Sequence, residues 1–200
     1  MKHILFLFLL IFNFSPSKGY INDNIVQTDS LDIYPSHRLE FNDCSMMYNG
    51  KPFKLDQPID EFVKVFGPYD RMIERGRSIY IWDKLGISAI LEKKKETVML
   101  LYVSLSKSWV GINQDKESLE GHSKDFFKVK LLLEGIPLEF KKTKINDFIM
   151  KSKGKWEEAH IPLAYYSDVK NCDPQIVYSL FVSNAGYVDE LSIYRKNVDF

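Results

Sequence analysis

The sequence predicts an α+β fold of two similar modules, each a short helix packed on an antiparallel β-meander. Three observations point there. Asn49-Gly50, a strong hairpin-turn dipeptide, is followed by a short strand and an amphipathic helix that stops at Gly67. Three strand-like runs with short turns come next. From Glu134 the order of turn, strand, helix and strands returns, so the chain reads as an internal repeat. The predicted organisation is a signal peptide over 1–19, an N-terminal arm over 20–40 and a first module over 41–105. A linker over 106–125 and a second module over 126–200, with an insertion at 155–175, complete the chain.

In the first module a strand is expected at Cys44–Tyr48, returning over Lys51–Leu55, where Pro52 demotes the second strand to an edge. Asp56 or Gln57 is expected to cap a helix whose first turn holds Pro58, because a missing N–H costs nothing there. Ile59, Phe62, Val63 and Phe66 share one face of that helix. Gly67-Pro68 ends it. Asp60 and Glu61 point about 100° apart on a helix, so they read as a solvated first turn and not as an acid/base pair. A charged loop is expected over Asp70–Arg77, then strands at Ile79–Trp82, Ile87–Leu91 and Val98–Leu105.

The second module opens with a strand over Phe126–Leu133 and turns at Glu134-Gly135. It returns over Ile136–Phe140, with Pro137 matching Pro52. Ile145, Phe148 and Ile149 repeat the helix spacing, and Ser152 takes the place of the last apolar residue. The insertion Lys155–Gln175 reads as loop. A final hairpin, Ile176–Val182 and Tyr187–Tyr194, closes around Ser183–Gly186.

Composition narrows the function classes. A 200-residue chain that is 45% hydrophobic and 14% aromatic has ample material for a packed core. Its formal net charge is zero, so it carries no overall basic footprint for nucleic acid. The short runs Lys93-Lys94-Lys95 and Lys141-Lys142 fall at expected turns. Met1–Gly19 has a basic start, an apolar run from Ile4 and small residues Ser17 and Gly19 at the positions a leader cut requires. The run is shorter than the roughly 20 residues of a membrane span, and no lipid-accepting cysteine follows it. Export to the periplasm or beyond, with no stable membrane anchor after cleavage, is the expectation; an uncleaved anchor is the alternative. In an oxidising compartment Cys44 and Cys172 have one possible pairing, against the alternative of two free thiols.

Chemical motifs are sparse. There is no nucleophile elbow, no Cys beside a local His, no phosphate-binding glycine loop and no zinc-ligand spacing. No enzyme activity, cofactor or metal is therefore expected. Glu157, Glu158 and His160 in the insertion are the one cluster from which a hydrolase site could be built. Recognition by loop aromatics is the better candidate, because Trp and Tyr dominate protein-binding hot spots. Trp109 in the linker, and Trp156, Tyr165 and Tyr166 in the insertion, are the candidate partner-binding residues.

A helix that begins at Pro58-Ile59-Asp60-Glu61, ends at Phe66-Gly67-Pro68 and runs into a meander resembles the small envelope module of the SmpA/OmlA outer-membrane assembly lipoproteins. Its tandem use resembles the secreted β-lactamase inhibitor proteins. The resemblance covers Tyr48–Leu105 and, more loosely, Phe126–Tyr194. The lipoproteins' acylated cysteine is missing here, which argues against a copied assembly role. What the second resemblance implies is an exported protein that grips another protein with its sheet. The expected function is thus a periplasmic binding or inhibitor protein with a protein partner. An immunity protein neutralising an envelope-targeting toxin is the concrete form. A structural or assembly accessory of the envelope is the alternative, and the hydrolase a second one.

Overall fold

The computed structural model describes residues 37–74, 76–106, 123, 125, 127–128 and 130–196. All belong to one compact unit spanning 31–200. The expected leader, most of the arm, most of the linker and Trp109 lie outside the described residues.

The chain begins with β1 (Arg38–Asn42), β2 (Ser45–Tyr48) and β3 (Lys51–Phe53), followed by helix α1 (Ile59–Phe66). Four antiparallel strands follow: β4 (Arg71–Glu74), β5 (Ser78–Trp82), β6 (Ile87–Leu91) and β7 (Val98–Ser104). The second half has two strands before its helix, where the first has three: β8 (Lys130–Leu133), β9 (Ile136–Leu138) and helix α2 (Ile145–Lys151). Its strands are β10 (Glu157–Glu158), β11 (Ala164–Val169), β12 (Ile176–Val182) and β13 (Val188–Arg195). The α+β class is therefore as expected.

Each half contributes to both sheets. A five-stranded sheet runs β3-β2-β1-β8-β9, and its two halves meet through the parallel pair β1–β8. An eight-stranded antiparallel sheet runs β10-β11-β12-β13-β7-β6-β5-β4, and its halves meet at β13–β7. Both strand junctions and one common core join the halves. Leu101 and Val103 of β7, Leu191 and Ile193 of β13, and Tyr178 and Leu180 of β12 alternate into that core. Leu39 and Phe41 of β1, and Leu131 and Leu133 of β8, enter it from the other sheet. The period-two burial follows from the pleat.

The turn chemistry matches expectation. Asn49 and Gly50 have φ of 51° and 76°, and Glu134 and Gly135 have 53° and 78°, as the tight hairpin turn demands. Pro52 and Pro137 lie in β3 and β9, the two edges of the five-stranded sheet, where a missing donor is tolerated. The predicted apolar helix faces are buried: Phe62 and Phe66 in α1, Ile145 and Phe148 in α2. In α1, Lys64 bridges Glu61 at 2.6 Å, which places the adjacent carboxylates on the wet side.

Several expectations need correction. α1 has Pro58 as its N-cap and no side-chain cap. Asp56 is left-handed at φ 66°, and its carboxylate accepts instead from Thr97 Oγ1 at 3.0 Å and from Arg195 Nη1 at 2.7 Å. A charge-assisted bond to a residue 139 positions away has displaced the local cap. The loop expected over Asp70–Arg77 contains β4, held on β5 from Arg71↔Ile81 to Glu74↔Ser78. Arg71 grips Asp83 with two bonds of 2.8 and 3.1 Å, so these two charges belong to strand architecture. The insertion contains β11, a six-residue strand fully paired with β12. β1 opens at Arg38, inside the stretch that reads as an arm.

The two halves are also tied covalently. Cys44, in the β1–β2 turn, is bonded to Cys172, between β11 and β12, with the Cα atoms 5.2 Å apart. Beside the bond, Tyr178 Oη donates to the Asp43 carbonyl at 2.6 Å, and its ring meets Phe41 edge-on at 6.1 Å. Burial pushes the Tyr178 phenol well above its ordinary pKa.

Candidate functional site

The site grows out of the way the chain leaves α2. At the corresponding point of the first half, Gly67 ends α1 at φ 86°, and the Trp82 indole donates to its carbonyl at 2.8 Å. At the end of α2 the residue is Ser152, which is extended and lacks that conformational freedom. Its hydroxyl accepts the Trp156 indole N–H at 2.8 Å and donates to Glu134 at 2.8 Å. The Glu134 carboxylate also accepts the backbone N–H groups of Lys153, at 2.7 Å, and Gly154, at 3.1 Å. A carboxylate with three donors is a strong local anchor. A Cβ at Gly154 would lie 2.7 Å from Glu134 Oε1 and 3.0 Å from Ser167 Oγ, so a larger residue there would have to shift the Glu134 side chain.

This anchor borders a cleft of about 690 Å³, within the ordinary range for binding sites. One wall is the segment Lys153–Lys155 with Glu134, the opposite wall is Tyr166–Lys170, and Asp43 and Cys44 close the disulfide end. β10 pairs with β11 only at Glu157↔Tyr166 and Glu158↔Tyr165. Beyond that, the outer edge of β11 faces the cleft.

The charges are unevenly committed. Glu157 accepts the Tyr166 hydroxyl at 2.7 Å, and Asp168 pairs with Lys196. The hydrogen bond to Glu157, then its negative charge, raises the Tyr166 pKa, since both favour the protonated phenol. The three donors to Glu134 all meet one oxygen, Oε2. Lys153, Lys155 and Lys170 are exposed, and among the described residues their ammonium groups have no hydrogen bond or ion pair.

The sequence candidates separate in space. Cys44 and Cys172 form the predicted disulfide, and Cys44 lines the cleft. Tyr166 stands in the cleft wall. Tyr165, its neighbour on the strand, turns the other way and packs against the core. Trp156 is half-buried, edge-on to Phe148 at 5.3 Å, and closes α2 instead of presenting a free face. Glu157 and Glu158 are consecutive strand residues and so point to opposite sides. His160 is exposed in the following loop, outside the cleft lining. Among the described residues no cluster of His, Cys, Asp and Glu could hold a metal. No described helix is long and apolar enough to cross a membrane.

Sequence reasoning missed Glu134, Ser152 and Gly154 as a working unit. One signal was available: a left-handed turn position favours Asn, Asp or Gly, and a glutamate there needs a reason that the turn alone does not supply.

Residues 38–147, more than half of the chain, match the profile of a family described as a domain of unknown function, DUF7738. The match includes Glu134, Asp43 and Cys44 and stops before β11. No curated protein and no solved structure matches the chain.

Proposed function

We propose that this chain, which belongs to the DUF7738 family, is an exported periplasmic protein that binds and neutralises another protein. An immunity protein protecting its producer from an envelope-targeting toxin is the specific form. The observation that carries the binding half is the cleft at Lys153–Lys155 and Tyr166–Lys170, where exposed cations lie beside an uncovered strand edge. Export is supported by the Cys44–Cys172 bond, since such bonds persist in oxidising compartments, together with the leader-like composition of residues 1–19.

We also read the two halves as copies of one ancestral unit. The support is topological. From β2 onward the first half, like the second, runs hairpin, helix, four strands, β1 being extra, and each helix entry is stitched to the last strand region of its own half. Pro58 bridges Thr97, and Lys144 bridges Tyr187. Each helix exit is closed by a tryptophan indole, Trp82 or Trp156. A duplicated scaffold supplies a large rigid surface without needing a catalytic set, which suits an inhibitor.

The test is to purify the oxidised protein, mix it with the product of the adjacent gene, and measure complex formation and protection of cells. A stable complex and protection support the immunity reading. Neither complex nor protection, with loss of envelope integrity on deletion, would transfer the assignment to an envelope accessory.

A further inference from the structure

The geometry points to the ligand class of the cleft: we infer that it takes an extended, carboxylate-bearing segment of the partner as an added strand on β11. The inference rests on the protein-binding reading above and specifies its chemistry.

Three observations carry it. The first is the edge. Leu163 O accepts from Val182 N on the β12 side, and Ala164 O accepts from Ala159 N on the β10 side. Backbone groups alternate sides along an antiparallel strand, so Tyr166 and Asp168 also face away from β12. Glu157 covers Tyr166. Continuing that register would set Lys155 opposite Asp168, yet β10 ends at Glu157. The N–H and C=O of Asp168 therefore face the cleft, an open position of the kind that strand addition uses.

The second is what keeps the edge open. Glu134 holds the N–H groups of Lys153 and Gly154, drawing this segment onto the hairpin turn. Ser152 adds a bond to the Gly154 N–H at 3.1 Å. The segment that would otherwise complete β10 is bonded elsewhere.

The third is charge. Both strand-edge walls offer uncommitted ammonium groups, Lys153 and Lys155 on one side and Lys170 on the other. Glu134, Glu157 and Asp168 each have one carboxylate oxygen bonded to donors of the protein itself. Asp43 remains, at the disulfide end beside Cys44. An incoming carboxylate thus meets cations whose only competitor is solvent, whereas three of the four acids an incoming cation meets already have one oxygen bonded. The overall charge is balanced, so recognition comes from short-range pairs and not from a long-range field.

The test titrates three capped peptides into the ¹⁵N-labelled, oxidised full chain and follows amide resonances. The probes are Glu-Val-Glu-Val-Glu, the same peptide N-methylated at its central residues, and Lys-Val-Lys-Val-Lys. The glutamate peptide is expected to shift Ser167–Lys170 and Lys153–Lys155 in a salt-sensitive manner, and the other two to leave them unmoved. A K153Q/K155Q/K170Q variant, altered only at exposed side chains, should bind it more weakly by on the order of tenfold. Absence of shifts at Ser167–Lys170 overturns the inference, as does equal binding by the N-methylated peptide or by the triple variant. A partner captured equally well by wild type and triple variant would remove the cleft assignment and leave the protein-binding reading standing. Peptide binding at the cleft without any toxin partner would do the reverse.

Discussion

The exits of the two helices show how one scaffold position can be used in two ways. After α1, a glycine with left-handed backbone and the Trp82 indole finish the helix, and the chain passes straight into β4. After α2, Ser152 cannot turn that way, and the work passes to Glu134 on the neighbouring hairpin. The same turn position in the first half is Asn49, whose Oδ1 accepts the Arg38 N–H at 2.7 Å and simply pins the start of β1. Where the exit is local, the four strands follow compactly. Where the exit is held by a side chain from another element, β10 shrinks to two residues and the β11 edge is uncovered. The lesson is that two helices alike in outline can end differently, one locally and one in a way that frees a surface.

The largest expected effects test whether the halves are separable at all. Phe62 and Phe148 are the matched helix anchors, at 0% and 1% exposure. Replacing either with alanine should cost about 3–5 kcal/mol. Because both enter one core, calorimetry should show a single transition lowered by either change. Two transitions, each sensitive to one variant, would break the picture of a shared core.

Removing the covalent tie comes next. The double variant Cys44→Ala/Cys172→Ala should lose about 2–4 kcal/mol in denaturant unfolding. The loss should also appear as faster hydrogen exchange at β11 and around Asp43, while β5–β6 changes little. Uniform loss of protection across both halves would argue that the bond staples the whole fold, not only the cleft end.

A smaller difference should separate the two hairpin turns. Glu134→Ala leaves two backbone donors and a hydroxyl without their acceptor, at a cost of about 1–3 kcal/mol. It should also alter the amide resonances of Lys153–Lys155. Asn49→Ala removes the bond from the Arg38 N–H, a longer contact to His37 Nδ1 at 3.5 Å and a residue suited to φ 51°, for about 1 kcal/mol, with no effect at the cleft. Equal perturbation of the cleft by both variants would erase the contrast between the two turns.

The smallest effect is on pH. Burial raises the phenol pKa of Tyr102 in β7, with the Glu190 charge adding to it, and burial likewise raises that of Tyr178 in β12. Unfolded tyrosines titrate near 10, so above about pH 10 the unfolded chain releases protons that the folded chain retains. Stability is therefore fully present below that pH and declines as pH rises beyond it. Absorbance at 295 nm and circular dichroism should show these two phenols ionising only together with unfolding. Ionisation of either in the folded state would place that ring nearer solvent.

Much of the fold was legible because its signals are local. Asn49-Gly50 and Glu134-Gly135 mark turns through backbone freedom. Ile59, Phe62 and Phe66, and then Ile145 and Phe148, mark helix faces through spacing, and β6, β7, β12 and β13 are apolar runs between turn residues. What could not be read had distant partners. β1 looks like a polar arm until β8 pairs with it in parallel. β4 is a charged edge whose Arg71 is neutralised twelve residues away by Asp83. β11 carries mixed residues because one side faces the core and the other the cleft. Of the candidate site, Tyr166, Cys44 and Cys172 were visible as residue types, whereas Glu134, Ser152 and Gly154 acquire meaning only together.

By itself, then, the sequence determined the local vocabulary: an α+β class, two hairpin–helix units, proline-marked edges, and a unique cysteine pairing if a bond formed. Tertiary structure decided that both sheets are shared between the halves. It also decided that Asp56 serves Arg195 instead of a helix cap, and that one helix exit opens a strand edge. The physical reason is range. Turn and helix preferences are set by dihedral freedom within a few residues, while a carboxylate's choice of donor or a strand's choice of neighbour is settled only when distant segments compete for the same hydrogen bonds.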